Sequence, residues 1–346
     1  MRVKIDLLSY CFDSVINLLG ITFNSVLLYI VWRHTPRKMN TYSVLIINTI
    51  IADFTIALCG FLTSNRIIPS GNAIVFVSNG PCIHLGSSAC LVIYETLLHA
   101  LEHGLMSQFI SFSYRYYILV NTRTPTRQQL AIICLIVYIP SFTLYCIHIG
   151  NSTDPDVLRD MVQRYHPSYN ITDYTISGHY PFTNTSTLLT ILYLSVPNIP
   201  LYILIMVLRR KTIRILEDTS IKLKKTNRRL HIQLMKVGSL ADQTEFLRLE
   251  TALLKVLTLQ SYTPLFLIVM MLMYLIGQLE LLNHPVLEYL TQTVIAFLPL
   301  CNPIISLTYI TPYRRAFSMW FRPVTRQYSL PKPSSSKSIF EDERIL

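Results

Sequence analysis

Charge and glycine are what this chain has least of. Only 14% of its 346 residues are Asp, Glu, Lys or Arg, where a soluble domain carries about 25%. Ten glycines in that length argue against a nucleotide-binding α/β enzyme, whose phosphate loops are built on glycine. Seven cysteines are present, but no CxxC pair and no His/Cys spacing marks a metal site. No nucleophile–base constellation stands out either, so neither an enzyme nor a cofactor is expected.

Apolar sequence is what remains. Hydrophobic residues make up 51% of the chain and the mean hydropathy is +0.41. Apolar runs of about 20 residues recur, the length that crosses a hydrocarbon core of about 30 Å. Their limits predict seven spans near 7–32, 42–64, 83–119, 128–149, 187–208, 251–277 and 287–310. The fold class expected is an all-α membrane protein, a seven-helix bundle. The first run passes straight into "RHTPRKMN", a basic flank that reads as a retained span and not as a cleavable leader. The sixth and seventh spans are separated only by "QLELLNHPV", with a turn at His284-Pro285. A short amphipathic helix, "PYRRAFSMWF" (312–321), follows the seventh. The remaining tail, 322–346, is rich in Ser and Pro and reads as disordered.

Basic residues orient the bundle. With the N-terminus outside, inner segments hold 24 of the 30 Lys and Arg residues and outer segments hold 5, the bias of the positive-inside rule. Three glycosylation sequons, at Asn151, Asn170 and Asn184, all fall in the 150–186 loop that this topology places outside. The net charge of +11 is therefore mostly topogenic and suits anionic lipid headgroups, without any need for nucleic acid. Cys82 and Cys146 both stand near outer helix ends, where a disulfide between them can be drawn; the other cysteines read as small apolar residues within helices.

One polar residue sits where it is costly. In "INTIIADFTIALCGF" (47–61) Asp53 interrupts an apolar run, with Asn48 five residues before it. A carboxylate at membrane depth faces the bundle interior and has polar partners, as a functional site or as structural glue. Helix three adds Glu95, His99 and Glu102 at i, i+4 and i+7, with His103 beside them; at helical pitch the first three share a face. They suit a polar or cationic ligand, or mutual hydrogen bonding that holds the bundle together. No other helix offers a convincing third ligand that would turn this stripe into a zinc site.

The 209–250 loop carries an internal echo. "RLHIQLMKV" (229–237) and "RLETALLKV" (248–256) share five of nine positions at an offset of 19. The segment 230–248 reads as an inserted unit, either a helical extension of the sixth span or a gene-model artefact.

Several motifs lie in order along the helices. "INTIIADF" resembles the helix-two signature of rhodopsin-like G-protein-coupled receptors, with Asn48 and Asp53 in place. "GITFNSVLLYI" resembles their helix one and puts Asn24 at its asparagine, while "LPLCNPIISLTY" resembles helix seven with Asn302 and Pro303. "NRIIPSGNAIVFVSNGPC" (65–82), "SFSYRYYILV" (111–120) and "NPIISLTYITPYRRAF" are similar to the nematode serpentine receptors of class delta, a likeness extending over about residues 15–320. The resemblance implies a chemosensory receptor at the plasma membrane of chemosensory neurons, binding a small-molecule or peptide ligand in the bundle and signalling to a heterotrimeric G protein. It supplies Asn24 and Asn302 as partners of Asp53 and makes Pro303 a hinge. The helix-three signature Asp-Arg-Tyr reads Tyr114-Arg115-Tyr116 here, so Arg115 lacks its adjacent acid. Arg314 and Arg315 join Arg115 on the basic inner rim as a G-protein docking surface. The competing reading is a transporter or channel for a small polar solute. That would be expected to show repeated halves or paired broken helices, and neither is evident in the sequence.

Overall fold

A segment inside a bilayer must satisfy its own backbone hydrogen bonds, and an α-helix does so without a partner. The computed structural model describes residues 2–121, 124–149, 152–181, 184–230 and 251–320, except 253, 280 and 283. Its first helix, α1, runs Arg2–His34 and is followed by α2, Ser43–Thr63. Strands β1 (Asn65–Ser70) and β2 (Ala73–Ser78) lead into α3, Ser87–Val120. After α4 (Arg127–Ile149) come a short helix α5 (Pro155–Tyr165) and strand β3 (Thr175–His179). The fifth span is divided into α6, Thr185–Ser195, and α7, Asn198–Leu230. The sixth covers Leu254–Gln278, in which α8 is Pro264–Gln278. The seventh is α9 (Pro285–Ala296) followed by α10 (Leu298–Tyr309), and α11 (Thr311–Trp320) comes after it.

Three interruptions depart from the continuous spans expected near 187–208, 251–277 and 287–310. Each lies beside a proline: Pro197 between α6 and α7, Pro264 at the first turn of α8, and Pro299 just after the break at Phe297. Proline lacks the N–H that would continue the ladder, and its ring crowds the carbonyl four residues back. The tail 322–346 and nearly all of the inserted-looking 230–248 segment lie outside the described residues.

The second departure is a sheet at one end of the bundle, the hairpin end, where plain loops were expected. β1 and β2 pair antiparallel from Asn65↔Ser78 to Ser70↔Ala73, and β3 extends the sheet from Ile74↔His179 to Ser78↔Thr175. The turn is Gly71-Asn72, and Gly71 at φ +59° occupies a region that suits glycine. Pro69 has no N–H to give and falls on the edge strand β1. Ile68, Val75, Val77 and Ile176 pack with Leu158, Met161 and Val162 of α5. Ile67 and Phe76 enter the bundle mouth among Tyr94, Leu97, Leu101, Ile295 and Leu298. The hairpin is therefore a plug built into the core. A separate apolar cluster, including Leu27, Met39, Leu45, Leu130 and Tyr313, closes the opposite end. On α4, Ile132, Leu135, Ile136 and Ile139 face outward, as lipid-facing residues of a spanning helix do.

Candidate functional site

Asp53 on α2 is buried and faces α10. Asn302 donates its amide to both carboxylate oxygens of Asp53, at 3.1 and 3.0 Å. Pro303 follows directly inside the same helix. Two small cavities border the pair, of about 20 and 30 Å³, each large enough for a water, which needs at least 10–15 Å³ or so. Gln260 and Ser306 line the first, while Gln108 and Thr263 line the second. Hydrogen bonds from Gln260 to Ser306 (3.4 Å) and from Gln108 to Thr263 (2.6 Å) carry this polar layer across the sixth, seventh and third spans.

The two other asparagines assigned to the cluster are arranged differently. Asn24 donates to the backbone carbonyls of Gly20 and Pro299, at 2.9 and 2.7 Å, and not to Asp53. It satisfies a carbonyl near the break in the seventh span. Asn48 turns toward α3, donating to Ser107 (2.9 Å) and meeting His103 Nε2 at 3.0 Å. Five residues are more than a full helical turn, so Asn48 and Asp53 point to different neighbours.

The α3 stripe also divides. Glu95 binds upward, to His148 Nδ1 of α4 at 2.7 Å and His179 Nε2 of β3 at 3.2 Å. All three side chains are buried. His99 packs in an aromatic cage of Tyr138, Phe142 and Tyr145 on α4. Glu102 interacts with Asn198 at the start of α7, and His103 packs edge-on against Tyr138. Expecting a single polar face missed His148 and His179, which lie 53 and 84 residues from Glu95. No local spacing links them; the only signal was a histidine in each of two apolar neighbourhoods.

At the opposite end Arg115 is 1% exposed, and its guanidinium carbon lies 3.8 Å from the centre of the Tyr42 ring. Tyr42 also stacks with Tyr114, at 6.0 Å between centroids. A cation over an aromatic face thus stands where the usual signature has an adjacent acid. Tyr116 is half-buried, with Lys211 Nζ 5.8 Å from its ring centre. Arg314 and Arg315 are exposed on α11, whose buried Tyr313 meets Thr35 of α1 at 3.1 Å.

The hairpin end is tied to the bundle by charge as well as packing. Arg66 of β1 donates to Glu288 of α9 at 2.6 Å, and Tyr169 donates to the other oxygen at 2.8 Å. Burial first, and then the Glu288 carboxylate, push the Tyr169 hydroxyl up to about 12. Tyr174 and Tyr289 donate to the two oxygens of Asp6, at 2.9 and 2.8 Å. A further buried acid, Asp13 on α1, accepts from Thr293 at 2.7 Å.

The disulfide is Cys82–Cys90, which corrects the pairing drawn with Cys146. Cys82 sits in the single turn Pro81–Leu85, and Gly86 at φ +91° lets the chain double back into α3. The two Cα atoms stand 5.2 Å apart, well within disulfide reach, whereas Cys146 is exposed on α4. Of the sequon residues, Asn170 and Asn184 are exposed, and Asn151 lies outside the described residues.

This architecture is the seven-helix bundle of the rhodopsin-like receptors. Squid rhodopsin superimposes with a TM-score of 0.64 at 15% identity, covering 91% of this chain and 86% of its own. The family model described as "Serpentine type 7TM GPCR chemoreceptor Srd" matches residues 9–240 and 242–319, and the chain belongs to that family. Curated relatives from Caenorhabditis elegans include serpentine receptor class delta-3, 28% identical over 95% of this chain and 91% of its own. Class delta-19 is 30% identical over 93% of this chain and 91% of its own, and class delta-18 is 31% identical over 86% and 84%. The protein is a candidate chemosensory receptor of the G-protein-coupled type and not an enzyme; the transporter reading is not favoured.

Proposed function

We propose that the receptor switches through the Asp53–Asn302 pair. The observation that carries this reading is the two-pronged hydrogen bond from Asn302 to both oxygens of a buried carboxylate, one residue before Pro303. A charge at the bilayer centre costs about 2.5–3.5 kcal/mol on insertion scales, so its partner has a strong hold on helix position. Pro303 leaves the helix one backbone donor short, which favours bending at that point. The same carboxylate thus biases two packings of the seventh span, with the polar layer of Gln108, Gln260, Thr263 and Ser306 rearranging around water.

In this scheme the hairpin end faces outward, in keeping with the exposed sequon residues Asn170 and Asn184 and the basic bias of the other end. The ligand is a small molecule or peptide sensed by the α3 face that carries His99, Glu102 and His103. Inside, Arg115 held under Tyr42 is the resting contact, and its release with Arg314 and Arg315 exposed opens a groove for a helix of a heterotrimeric G protein. The site of action is the plasma membrane of a chemosensory neuron, by analogy with the family.

The test is a ligand screen with a calcium or cyclic-nucleotide reporter, comparing the intact chain with Asp53→Asn. The expected result is unchanged surface expression with altered basal or evoked signalling. Equal signalling at equal surface level would defeat the proposal.

A further inference from the structure

We propose that Glu95, His148 and His179 form a binding site for a divalent transition-metal ion, best fitted by Zn2+, that latches strand β3 to α3 and α4. One donor atom from each residue lies within 4.8 Å of the others, and all three residues are buried. A tetrahedral zinc with bonds of about 2.0–2.2 Å holds its donors about 3.3 Å apart. His148 Nδ1 stands 2.7 Å from one carboxylate oxygen of Glu95 and His179 Nε2 stands 3.2 Å from the other, so closing the three donors around an ion needs adjustments of an ångström or so in side chains already converged. Two imidazoles and one carboxylate are a donor set that zinc takes in proteins, leaving one position open. A cavity of about 20 Å³ borders Glu95 on the side away from His148 and His179, between His99, Tyr145 and Tyr193, enough for one water.

The stacking of the two imidazoles favours metal over a permanent double ion pair. Their ring centres are 4.0 Å apart with planes 28° from parallel. Two imidazolium charges face to face in a buried site would repel strongly. An ion bound by the two rings takes both as neutral imidazoles, which removes that repulsion.

The consequence is structural. Glu95 lies on α3, His148 on α4 and His179 on β3, the strand that pairs with the plug strand β2. Metal here would hold the plug in the bundle mouth. This inference rests on the donor triangle alone and stands or falls separately from the Asp53 switch.

The experiment uses the full chain purified in detergent or nanodiscs and stripped with a chelator. Zn2+ is titrated in while metal content and thermal unfolding are read. The expected result is one tightly held Zn2+ per chain, with unfolding raised by several degrees; at 100 times the dissociation constant the folded state gains about 100-fold in population. Co2+ should give the absorption of a tetrahedral N/O site in the wild-type chain, which needs no variant. Glu95→Gln, His148→Ala and His179→Ala should each lose the bound ion, while His84→Ala, at an exposed histidine, should keep it. Failure of the wild-type chain to hold either ion, or retention by all three variants, would overturn the proposal.

Discussion

Asp53 and Glu95 are two carboxylates on neighbouring helices, 4% and 3% exposed, yet they are held in different ways. Asp53 has the neutral amide of Asn302 on the seventh span, next to a proline and to water-sized space. Glu95 has two imidazoles, one of them on a strand outside the bundle. A buried acid with one amide partner beside a hinge can change partners at modest cost. A buried acid between two ring nitrogens from two other elements fixes those elements together. The first arrangement suits a switch and the second a latch. The rest of the hairpin end agrees, with Arg66–Glu288, the Asp6 tyrosines and Cys82–Cys90 all adding ties there.

Replacement by leucine should separate the two acids most widely. Glu95→Leu removes the carboxylate that two buried imidazoles share, at about 1–3 kcal/mol for each contact, whereas Asp53→Leu removes the partner of the Asn302 amide alone, at about 1–3 kcal/mol. Unfolding temperature and surface yield should therefore fall further for Glu95→Leu. The reverse order would break the latch–switch distinction.

A smaller effect is expected at Arg115, the charge buried at the opposite end of the bundle. Tyr42→Leu removes the ring beneath Arg115, a contact valued at about 0.5–2 kcal/mol. Basal G-protein signalling in a reporter cell should rise while surface expression holds. Unchanged basal signalling would show that the contact is not part of the resting state.

The Asp53–Asn302 pair was legible through the resemblance to rhodopsin-like receptors, whose helix-two and helix-seven motifs supplied Asn302 as a partner of Asp53. The sequence did not make Asn24 and Asn48 legible, because helical rotation decides whether a residue faces one neighbour or the next. The hairpin had a signal of its own, two apolar runs around Gly71-Asn72, but β3 and its register depend on a partner about a hundred residues away. Cys90 was readable by spacing only once the single turn at Pro81–Leu85 and the reversal at Gly86 were known. The breaks beside Pro197 and Pro299 were not legible from proline alone, because Pro140 and Pro303 lie inside unbroken helices. The Glu95–His148–His179 triangle was not legible, because three separate elements meet there through tertiary packing alone.

The central claim is that a carboxylate facing an amide between α2 and α10 sets the switch, and exchanging the two groups tests it most directly. Asn302→Asp alone places two carboxylates together, which should lower surface expression and signalling through like-charge repulsion. Asp53→Asn combined with Asn302→Asp restores one acid and one amide with their places reversed. Basal signalling per surface receptor is to be measured for the two single variants and the double. The account predicts that the double variant lies closer to wild type than either single one. A double variant no better than the worse single would contradict it.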